Sequence, residues 1–458
     1  MQEDPKFGTD GVRGVANADL SAFFAFRLGR AAGNLFAQQA PGSPVVLGRD
    51  TRRSGDLLRC ALGAGLLSAG IDVVDLGVIP TPGVAYVARL LQAAAGAVIS
   101  ASHNPARDNG IKFFGSDGRK IPDEVETCIE QSLDGFEAGD FPTGAGVGRF
   151  HGGDAGARNP HVDRYAEFLI ASAPSRLDGL RLVVDAGNGA AFSLGPHVAR
   201  ALGAEVIELH GVPDGLNINA GCGATHPESA MAAARERGAD LAVAFDGDAD
   251  RAIFADEQGR LVDGDRVMAM CALAWRDTDR LPGNVVVGTV MSNVGLERGL
   301  ADRGVRLLRA PVGDRFVADQ MRTAGAALGG EKSGHILFSR LHTTGDGILT
   351  LLQVASLLKQ TGRPLSELAD QIREYPQLLV NVPVWRRRGW RVQPDLWAAV
   401  REGEGQLGDS GRILVRASGT ERIIRVMAEG PDEEVVRAIV HRIADVVSRT
   451  MGQPKDEE

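Results

Sequence analysis

A serine in a short polar segment is the first candidate for chemistry. Ser102 follows an apolar run and is next to His103, and Lys112 lies ten residues further along the chain. A serine hydroxyl becomes a nucleophile when a base or an electrophilic group stands beside it. The GxSxG pattern of acyl-transfer hydrolases is absent from the sequence, so an acyl-enzyme triad has no support. We expect Ser102 to be exposed at the end of a strand, either as a reactive group or as part of a polar turn that caps backbone amides.

Three aspartates at alternate positions form a candidate metal site. Asp246, Asp248 and Asp250 follow the apolar run LAVAF and are followed by Arg251. On an extended segment the three carboxylates would project to one side, where a hard cation such as Mg²⁺ would relieve their repulsion. An EF-hand loop also begins D-x-D-x-D, with Glu257 at the twelfth position, but Arg251 stands where that loop requires glycine. The remaining alternative is a solvated acidic turn.

Other loops carry groups that suit a sugar and a phosphate. Glu331 and Ser333 lie in the segment GGEKSGH, where they could hydrogen-bond adjacent sugar hydroxyls while the glycines let the backbone approach. Arg416 begins the segment RASGTE, and Arg425 begins the apolar run that follows it. Guanidinium groups, hydroxyls and an open backbone make a cradle for a dianion. Arg13 offers a further cation in the glycine-rich segment FGTDGVRG. Each of these loops taken alone is also compatible with an ordinary turn.

A threefold repeat predicts the elements that position these loops. Each copy has a Val-rich run, an amphipathic helical stretch and two further short apolar runs. The copies begin at Val45, Leu182 and Val285. Short apolar runs that alternate with helical periods predict buried parallel strands in βαβ units, whose carboxyl ends border ligand clefts. Ser102, the aspartates and Glu331 fall in the matching loop of each copy, so we expect them to face a shared cleft. The alternative is the general similarity of all α/β domains.

Composition and charge exclude several classes of protein. The chain has 458 residues, a net charge of −9 and 44% hydrophobic residues, with 59 glycines and few aromatics, as is typical of a large soluble α/β protein. The acidic balance argues against nucleic acid as a partner. The four cysteines form no CxxC pair, which argues against a disulfide framework or a zinc site. Without a signal-peptide pattern or a long apolar stretch, we predict a cytoplasmic protein with no membrane partner.

Taken in order, the motifs resemble those of the α-D-phosphohexomutase superfamily over essentially the whole chain. The segments that carry the resemblance are FGTDGVRG (7–14), SASHNPARDNGIKFF (100–114), DGDADR (246–251), VGDR (312–315), GEKSGH (330–335), TTGDGI (343–348) and RASGTERIIRVMAEG (416–430). Many separated motifs in one order make chance agreement very improbable.

The resemblance implies an α/β fold with four domains around a central cleft. Three similar α/β domains with mixed sheets would precede a smaller α+β domain. Their expected ranges are 1–155 with a phosphoserine loop, 156–253 with a metal-binding loop, 254–368 with a sugar-binding loop and 369–458 with a phosphate-binding loop. From the sequence pattern itself, the last domain is a strand, a helix near Asp395, two strands and a long helix from Asp432.

The resemblance also implies residue roles. Ser102 would carry the phosphoryl group and give one oxygen to a Mg²⁺ ion that Asp246, Asp248 and Asp250 hold. His103, Lys112 and Arg251 would contact the transferring phosphoryl group or assist proton transfer. The implied substrate-binding residues are Arg13, Asp314, Arg315, Glu331, Ser333, His335, Arg416, Ser418, Gly419, Thr420 and Arg425. Of these, the residues from Arg416 to Thr420 would hold the phosphate that is not being transferred.

The implied activity interconverts glucosamine 6-phosphate and glucosamine 1-phosphate. It would proceed through a phosphoserine enzyme and a sugar 1,6-bisphosphate, which would also serve as primer, and would supply UDP-N-acetylglucosamine for cell-wall precursors. The segment VGDR favours this branch, whereas Lys332 and Arg422 depart from the usual family residues and bear on sugar preference. The alternatives are a phosphomannomutase/phosphoglucomutase, a metal-dependent phosphatase and a non-catalytic sugar-phosphate binding protein. We also consider a homodimer.

Overall fold

The computed structural model describes residues 4–8, 10–133, 141–152, 159–385, 388–418 and 421–452. The chain divides into two compact units. One unit comprises residues 1–291 and 305–371, and the other comprises residues 292–304 and 372–458. No helix within the described ranges combines the length and the apolar composition needed to cross a lipid bilayer.

The first part of the larger unit is built on a six-stranded mixed sheet. Its elements are β1 (Val12–Val15), α1 (Ala22–Gln39), β2 (Val45–Arg49), α2 (Ser54–Ser68), β3 (Val73–Val78), α3 (Thr81–Leu90), β4 (Ala95–Ile99), β5 (Asp108–Gly115), α4 (Asp123–Leu133) and β6 (Phe150–Gly152). The strand order is β1-β5-β4-β2-β3-β6. Strand β2 runs parallel to β3 and β4, and β5 returns antiparallel to β4.

The next two parts repeat this arrangement. The second contains α5 (Pro160–Ser172), β7 (Arg181–Asp185), α6 (Leu194–Ala201), β8 (Glu205–Leu209), α7 (Glu228–Arg237), β9 (Leu241–Phe245), β10 (Ala252–Asp256) and β11 (Leu261–Val262). The third contains α8 (Gly264–Asp277), β12 (Val285–Thr289), β13 (Arg306–Ala310), α10 (Asp314–Ala324), β14 (Leu328–Gly330), β15 (Ile336–Phe338), α11 (Gly347–Thr361) and α12 (Leu365–Ala369). The chain between β12 and β13 forms α9 (Val294–Ala301). Helix α9 belongs to the smaller unit.

The strand pairings confirm the predicted repeat. In each sheet the first strand of the copy lies between the second and third and is parallel to both. A fourth strand then returns antiparallel to the third, as β5, β10 and β15 do. The central strands are almost fully buried, which explains their continuous apolar runs. The repeat therefore places three equivalent loops between the third and fourth strands of its copies.

Two glycines allow close contact between α1 and α2. A Cβ atom on Gly29 of α1 would lie 2.2 Å from the carbonyl oxygen of Leu62 in α2. A Cβ atom on Gly65 would lie equally close to the carbonyl oxygen of Phe26. The two helices therefore pack backbone to backbone against the core beneath β2 and β4, which a larger residue at either position would prevent.

The smaller unit contains a three-stranded antiparallel sheet covered by two helices. Its further elements are β16 (Gln377–Pro383), α13 (Pro394–Leu407), β17 (Arg412–Ala417), β18 (Ile423–Glu429) and α14 (Glu433–Met451), and the strand order is β16-β18-β17. The buried faces of α13 and α14 pack on the apolar side of this sheet. Asp432 caps α14 by accepting hydrogen bonds from Glu434 N and Val435 N. The predicted order of strand, helix, two strands and long helix is confirmed, as is the predicted fold class of three mixed α/β domains and a smaller α+β domain.

Candidate active site

Ser102 lies in the loop between β4 and β5 and faces the second sheet. Its hydroxyl donates a hydrogen bond to Asp246 Oδ2 at 2.6 Å and lies 3.3 Å from His103 Nδ1. Its backbone has φ of +50°, a conformation that non-glycine residues rarely adopt, and its N–H donates to Ser100 Oγ at 2.9 Å. The first two candidate sites of the sequence, the serine and the aspartate cluster, are thus in direct contact although 144 positions separate Ser102 from Asp246.

The prediction that Ser102 is exposed was wrong. Only 2% of the residue is accessible. The loop between β9 and β10, here called the aspartate loop (residues 246–251), covers Ser102. The contact is close, since a Cβ atom at Gly247 would lie 2.6 Å from the Ser102 carbonyl oxygen. Asn219, from the loop that precedes α7, also donates to that carbonyl oxygen at 2.8 Å. Contacts between the two sheet regions therefore bury the serine, and a pattern within one segment could not reveal them.

Arg52 binds the loop between β4 and β5, here called the serine loop (residues 100–107). This role of Arg52 was not identified in the sequence. Its side chain is fully buried and pairs with Asp50 at 2.9 Å. It donates to the carbonyl oxygens of Ser102 at 2.9 Å and Asn104 at 2.8 Å. It also donates to the carbonyl oxygen of Asp108 at 3.0 Å. Because one guanidinium serves several carbonyl groups of the same loop, it fixes the backbone conformation in which Ser102 points at Asp246.

We expect Arg52→Met to destabilise the protein by about 3 kcal/mol, because it leaves Asp50 buried without its charged partner. The serine loop should also lose its fixed conformation. Arg53→Met is the matched control, since the Arg53 side chain is exposed. Denaturant midpoints of the two variants would test the expectation, and equal midpoints would show that Arg52 does not support the loop.

Asp246, Asp248 and Asp250 lie in the loop between β9 and β10. One carboxylate oxygen from each lies within 4.8 Å of the others, and all three residues are buried. The prediction of an extended segment was wrong: Ala249 has φ of +56° and its N–H donates to the Asp246 carbonyl oxygen at 3.0 Å. The chain turns at this position, and it is this turn, instead of strand alternation, that brings the carboxylates together.

Residues from the first sheet region surround the carboxylates. Lys112 Nζ, on β5, donates to Asp248 Oδ2 at 2.7 Å and lies 3.7 Å from Asp250 Oδ2. Thr81, at the start of α3, donates to Asp248 Oδ2 through its hydroxyl at 2.6 Å and to the Asp248 carbonyl oxygen through its N–H at 2.9 Å. Thr81 had no signal in the sequence, because a threonine at a helix start is ordinarily read as a cap.

Electrostatics in the aspartate loop follow from burial and charge crowding. Burial, together with the neighbouring charges of Asp250 and Asp248, raises the pKa of Asp246 well above its ordinary value. Burial opposes the charged form of Lys112, but Asp248 and Asp250 outweigh it and raise the pKa of the lysine. The pKa of His335 is raised in the same way. Burial alone would lower it, but the charge of Asp250 outweighs burial and raises the pKa to about 9. Lys112 and His335 are therefore cations at neutral pH.

The residues fit a divalent cation. Asp248 Oδ1 and Asp250 Oδ1 are buried and have no hydrogen-bond partner within the described part of the chain. A buried carboxylate oxygen without a partner is costly unless a cation binds it. Three carboxylates and no nitrogen or sulfur ligand in the cluster suit a hard ion such as Mg²⁺.

Glu331, Ser333 and His335 lie in the loop between β14 and β15. Glu331 Oε1 accepts a hydrogen bond from Gly313 N at 2.9 Å, and Ser333 Oγ donates to Glu331 Oε2 at 3.4 Å. His335 Nδ1 lies 3.7 Å from Asp250 Oδ1. The structure therefore brings the third predicted loop next to the aspartates. The neighbouring Lys332 turns away, with Nζ 3.6 Å from Asp263 Oδ2.

A cavity of about 500 Å³ opens beside these loops within the larger unit. The predicted site residues in its lining are Lys112, Asp250, Asp314, Arg315 and His335. Asp314 begins α10, and Arg315 forms an ion pair with Asp123 of α4. The cavity thus combines cations with the edge of the aspartate cluster, which suits an anionic polyhydroxy ligand.

The remaining predicted site residues of the larger unit are Arg13, His103 and Arg251. Arg13, on β1, pairs with Asp10 at 3.1 Å. Burial, followed by the charges of Arg251 and Arg13, lowers the pKa of His103, so this imidazole is neutral at pH 7. Arg251 Nε lies 3.9 Å from Asp250 Oδ1, and the Arg251 N–H donates to Asp246 Oδ1 at 3.1 Å. Arg13, His103 and Arg251 therefore belong to the same neighbourhood as the serine.

The predicted phosphate loop lies in the smaller unit. Arg416 of β17 and Arg425 of β18 are paired directly across the sheet. Burial, together with the Arg425 charge, lowers the pKa of Arg416. The Ser418 N–H donates to the Ile423 carbonyl oxygen at 3.0 Å. Two adjacent guanidinium groups suit a dianion, and the predicted residues Gly419 and Thr420 lie outside the described residues.

Comparison with protein families accounts for nearly the whole chain. Four models named phosphoglucomutase/phosphomannomutase match it: alpha/beta/alpha domain I at residues 4–138, domain II at 159–259, domain III at 263–375 and the C-terminal domain at 379–446. The chain belongs to the phosphoglucomutase/phosphomannomutase family. The resemblance stated from the motifs is therefore confirmed, and each of the three loops described above falls in a separate domain of this family.

Similar proteins of the family match nearly the whole chain. A phosphoglucosamine mutase of Symbiobacterium thermophilum is 53% identical over 96% of this chain and 98% of its own length. One of Desulforudis audaxviator is 50% identical over 96% of this chain and 97% of its own. A phosphoglucomutase/phosphomannomutase family protein of Burkholderia thailandensis has a similar solved structure, with a TM-score of 0.80, 27% identity and coverage of 97% of both chains. An Aspergillus fumigatus N-acetylphosphoglucosamine mutase, solved with GlcNAc-6P and magnesium, shares the fold at a TM-score of 0.65 and 18% identity, over 97% of this chain and 96% of its own.

Proposed function

We propose that the chain interconverts glucosamine 6-phosphate and glucosamine 1-phosphate, with Ser102 as the phosphoryl carrier. One observation carries the proposal: the Ser102 hydroxyl donates to Asp246, within a cluster whose Asp248 and Asp250 each keep a buried oxygen without a partner. A serine in contact with a cation site is suited to reversible phosphoryl transfer. The choice of glucosamine phosphate is supported by the relatives of about 50% identity that are named phosphoglucosamine mutase.

In the proposed forward reaction, phosphorylated Ser102 donates its phosphoryl group to O1 of glucosamine 6-phosphate. The bond between phosphorus and Ser102 Oγ breaks, a bond to O1 forms, and the O1 proton leaves to a base. The resulting 1,6-bisphosphate then donates its 6-phosphoryl group to Ser102: the bond between phosphorus and O6 breaks, a bond to Ser102 Oγ forms, and O6 gains a proton. Glucosamine 1-phosphate is released and the phosphoserine enzyme is restored, so atoms and charge balance over the cycle.

The proposed role of each side chain in phosphoryl transfer follows from its charge. Mg²⁺ held by Asp246, Asp248 and Asp250 would neutralise charge on the transferring phosphoryl group. Lys112 and Arg251 are positioned to bind its oxygens as permanent cations. His103 is neutral and adjacent to Ser102 Oγ, so it is the neighbour best suited to accept a proton. His335, which is protonated at neutral pH, is suited to hold an anion or to donate a proton.

The substrate is proposed to bind at both of its ends. Glu331 and Ser333 would read sugar hydroxyls, and Arg13, Asp314 and Arg315 would border the sugar. The phosphate that is not being transferred would bind Arg416, Ser418, Gly419, Thr420 and Arg425. We further propose a sugar 1,6-bisphosphate as primer, a cytoplasmic location and a role in supplying UDP-N-acetylglucosamine for cell-wall precursors.

The test of this function is a comparison of glucosamine, glucose and mannose phosphates with Mg²⁺ and a trace of the matching bisphosphate. We expect the highest kcat/KM for glucosamine 6-phosphate, with glucosamine 1-phosphate as product. A preference for mannose or glucose phosphate would support the phosphomannomutase/phosphoglucomutase alternative. Free inorganic phosphate as the main product would support a phosphatase and contradict the proposal.

We expect Glu331→Gln to lower kcat/KM for glucosamine 6-phosphate by about tenfold to a hundredfold, the cost of weakening a charge-assisted hydrogen bond to a sugar hydroxyl. Phosphorylation of Ser102 should be unaffected, because Glu331 does not contact the serine loop in the reaction that we propose. Glu236→Ala, at an exposed position of α7, is the control. Unchanged kinetics in Glu331→Gln would remove this residue from the substrate site.

A further inference from the structure

A second cluster of potential metal ligands lies at the carboxyl edge of the sheet formed around β7. Asp185 ends β7, His210 directly follows β8, and Cys222 lies in the loop before α7. One ligand atom from each residue lies within 4.8 Å of the others. We propose that these three residues bind a borderline transition-metal dication of the Zn²⁺ class. The proposal is independent of the catalytic function and concerns none of the aspartates described above.

The contact between Asp185 and His210 supports a cation that both residues bind. His210 Nδ1 lies 3.0 Å from Asp185 Oδ1 but is buried and has no hydrogen-bond partner within the described part of the chain. The angles therefore do not make this contact a hydrogen bond. Two ligands about 2.0–2.1 Å from one tetrahedral zinc ion lie about 3.3 Å apart. A close nitrogen–oxygen pair without an aligned proton is the arrangement that a shared cation requires.

Asp185 is fixed in position and keeps a free acceptor direction. Its Oδ1 accepts a hydrogen bond from Gly187 N at 2.8 Å, and its Oδ2 accepts hydrogen bonds from Gly223 N at 3.2 Å and Ser229 Oγ at 3.4 Å. A carboxylate has about four lone-pair directions, so these three hydrogen bonds orient the group and leave one direction, on Oδ1, for a cation. Oriented carboxylates are preorganised ligands, because little side-chain freedom is lost when the cation binds.

The sulfur ligand of Cys222 determines which class of metal ion suits the cluster. Its side chain is fully buried, and burial followed by the Asp185 charge raises the pKa of the thiol to about 11. A dication would displace the thiol proton and leave a bound thiolate, with one proton released to solvent for each ion bound. One sulfur, one nitrogen and one oxygen ligand suit Zn²⁺ or Co²⁺ and discriminate against Mg²⁺. The His210 side chain is 34% exposed, so the ion and a fourth ligand from water can reach the cluster.

A metal ion at this position would be linked to the serine loop through the contacts of Asn219. The segment that joins His210 to Cys222 also contains Asn219, whose N–H donates to the Gly187 carbonyl oxygen at 2.9 Å. The Asn219 side chain donates to the Ser102 carbonyl oxygen. An ion bound by Asp185, His210 and Cys222 would therefore tie both ends of the segment to β7 and restrain Asn219, which contacts the Ser102 carbonyl oxygen.

The experiment is a Co²⁺ titration of metal-free full-length protein that contains Cys60→Ser and Cys128→Ser, which remove the two exposed thiols. We expect thiolate-to-cobalt charge-transfer absorption that saturates at one equivalent and persists in excess Mg²⁺. The three aspartates offer only oxygen ligands, so they cannot produce this band. Cys222→Ala should abolish it, and Cys271→Ala, which removes the other buried thiol, should retain it.

If Cys222→Ala fails to fold, two further variants test the metal site. His210→Asn retains a residue that tolerates the φ of +46° at this position and should weaken Co²⁺ binding at least tenfold. Asp185→Asn should also weaken it. Absence of the band in the parent protein, or an unchanged band and affinity in the Cys222 and His210 variants, would overturn the proposal and leave Asp185 as a carboxylate that only fastens loops.

Discussion

Ser102→Ala is expected to lower turnover by at least about a thousandfold. The variant lacks the oxygen that accepts the phosphoryl group, and removal of a nucleophile that forms a covalent intermediate leaves only the residual effect of binding and electrostatics. Binding of glucosamine 6-phosphate should persist, since Glu331, Arg416 and Arg425 are intact. The comparison to make is kcat for the mutase reaction against the Kd for substrate measured by calorimetry.

The fold should survive this substitution. Alanine occupies the same volume apart from one oxygen, and the loop is held by Arg52 and Asn219 through backbone carbonyl groups that the change does not touch. We therefore expect a thermal midpoint within a few degrees of the wild type. Ser116→Ala, in the exposed turn after β5, is the matched control and should keep full activity. Mutase turnover near the wild-type rate in Ser102→Ala would remove the serine from the reaction.

Asp248→Asn is expected to have an effect of similar size, through loss of the cation. The amide can still accept hydrogen bonds from Thr81 and Lys112, so the neighbouring side chains keep their positions. It is, however, a poorer ligand for a hard dication than a carboxylate. We expect kcat to fall by about a thousandfold or more and the activity to lose its saturable response to Mg²⁺.

A stability measurement separates this role from a structural one. Three buried carboxylates repel one another, so neutralising one should leave the unfolding free energy unchanged within about 1 kcal/mol, or raise it. Mg²⁺ should raise the thermal midpoint of the wild type, because it binds the folded state, and should not raise that of Asp248→Asn. Asp277→Asn, at an exposed position, is the control. A Mg²⁺-dependent shift of equal size in Asp248→Asn would contradict the proposed ligand set.

The repeat explains why much of the fold could be predicted. Each copy contains short, almost fully buried runs such as Val45–Arg49 and Arg181–Asp185. The central positions of such runs are apolar in succession, because helices cover both faces of a parallel sheet. The polar residues that interrupt them fall where a strand ends. Ser102, Asp246 and Glu331 could therefore be placed in equivalent loops from the pattern alone.

The features that could not be predicted depend on contacts between distant segments. Arg52 reaches the carbonyl groups of residues fifty positions away, and Thr81 reaches an aspartate 167 positions away. Neither residue belongs to a local pattern that distinguishes it from an ordinary loop arginine or helix-start threonine. The burial of Ser102 has the same origin. The turn at Ala249 was missed for a different reason, since alternate aspartates suggest a strand although a left-handed residue between them produces a tighter cluster.

Phosphorylation of the purified protein tests the central claim most directly. Wild-type protein and Ser102→Ala would each be incubated with a hexose 1,6-bisphosphate and Mg²⁺, and their intact masses measured before and after glucosamine 6-phosphate is added. We expect the wild type to gain one phosphoryl group and Ser102→Ala to gain none. Glucosamine 6-phosphate should then remove the group from the wild type, with formation of its 1,6-bisphosphate. A wild-type protein that never gains the phosphoryl group, or a Ser102→Ala protein that gains it equally, would show that Ser102 is not the phosphoryl carrier.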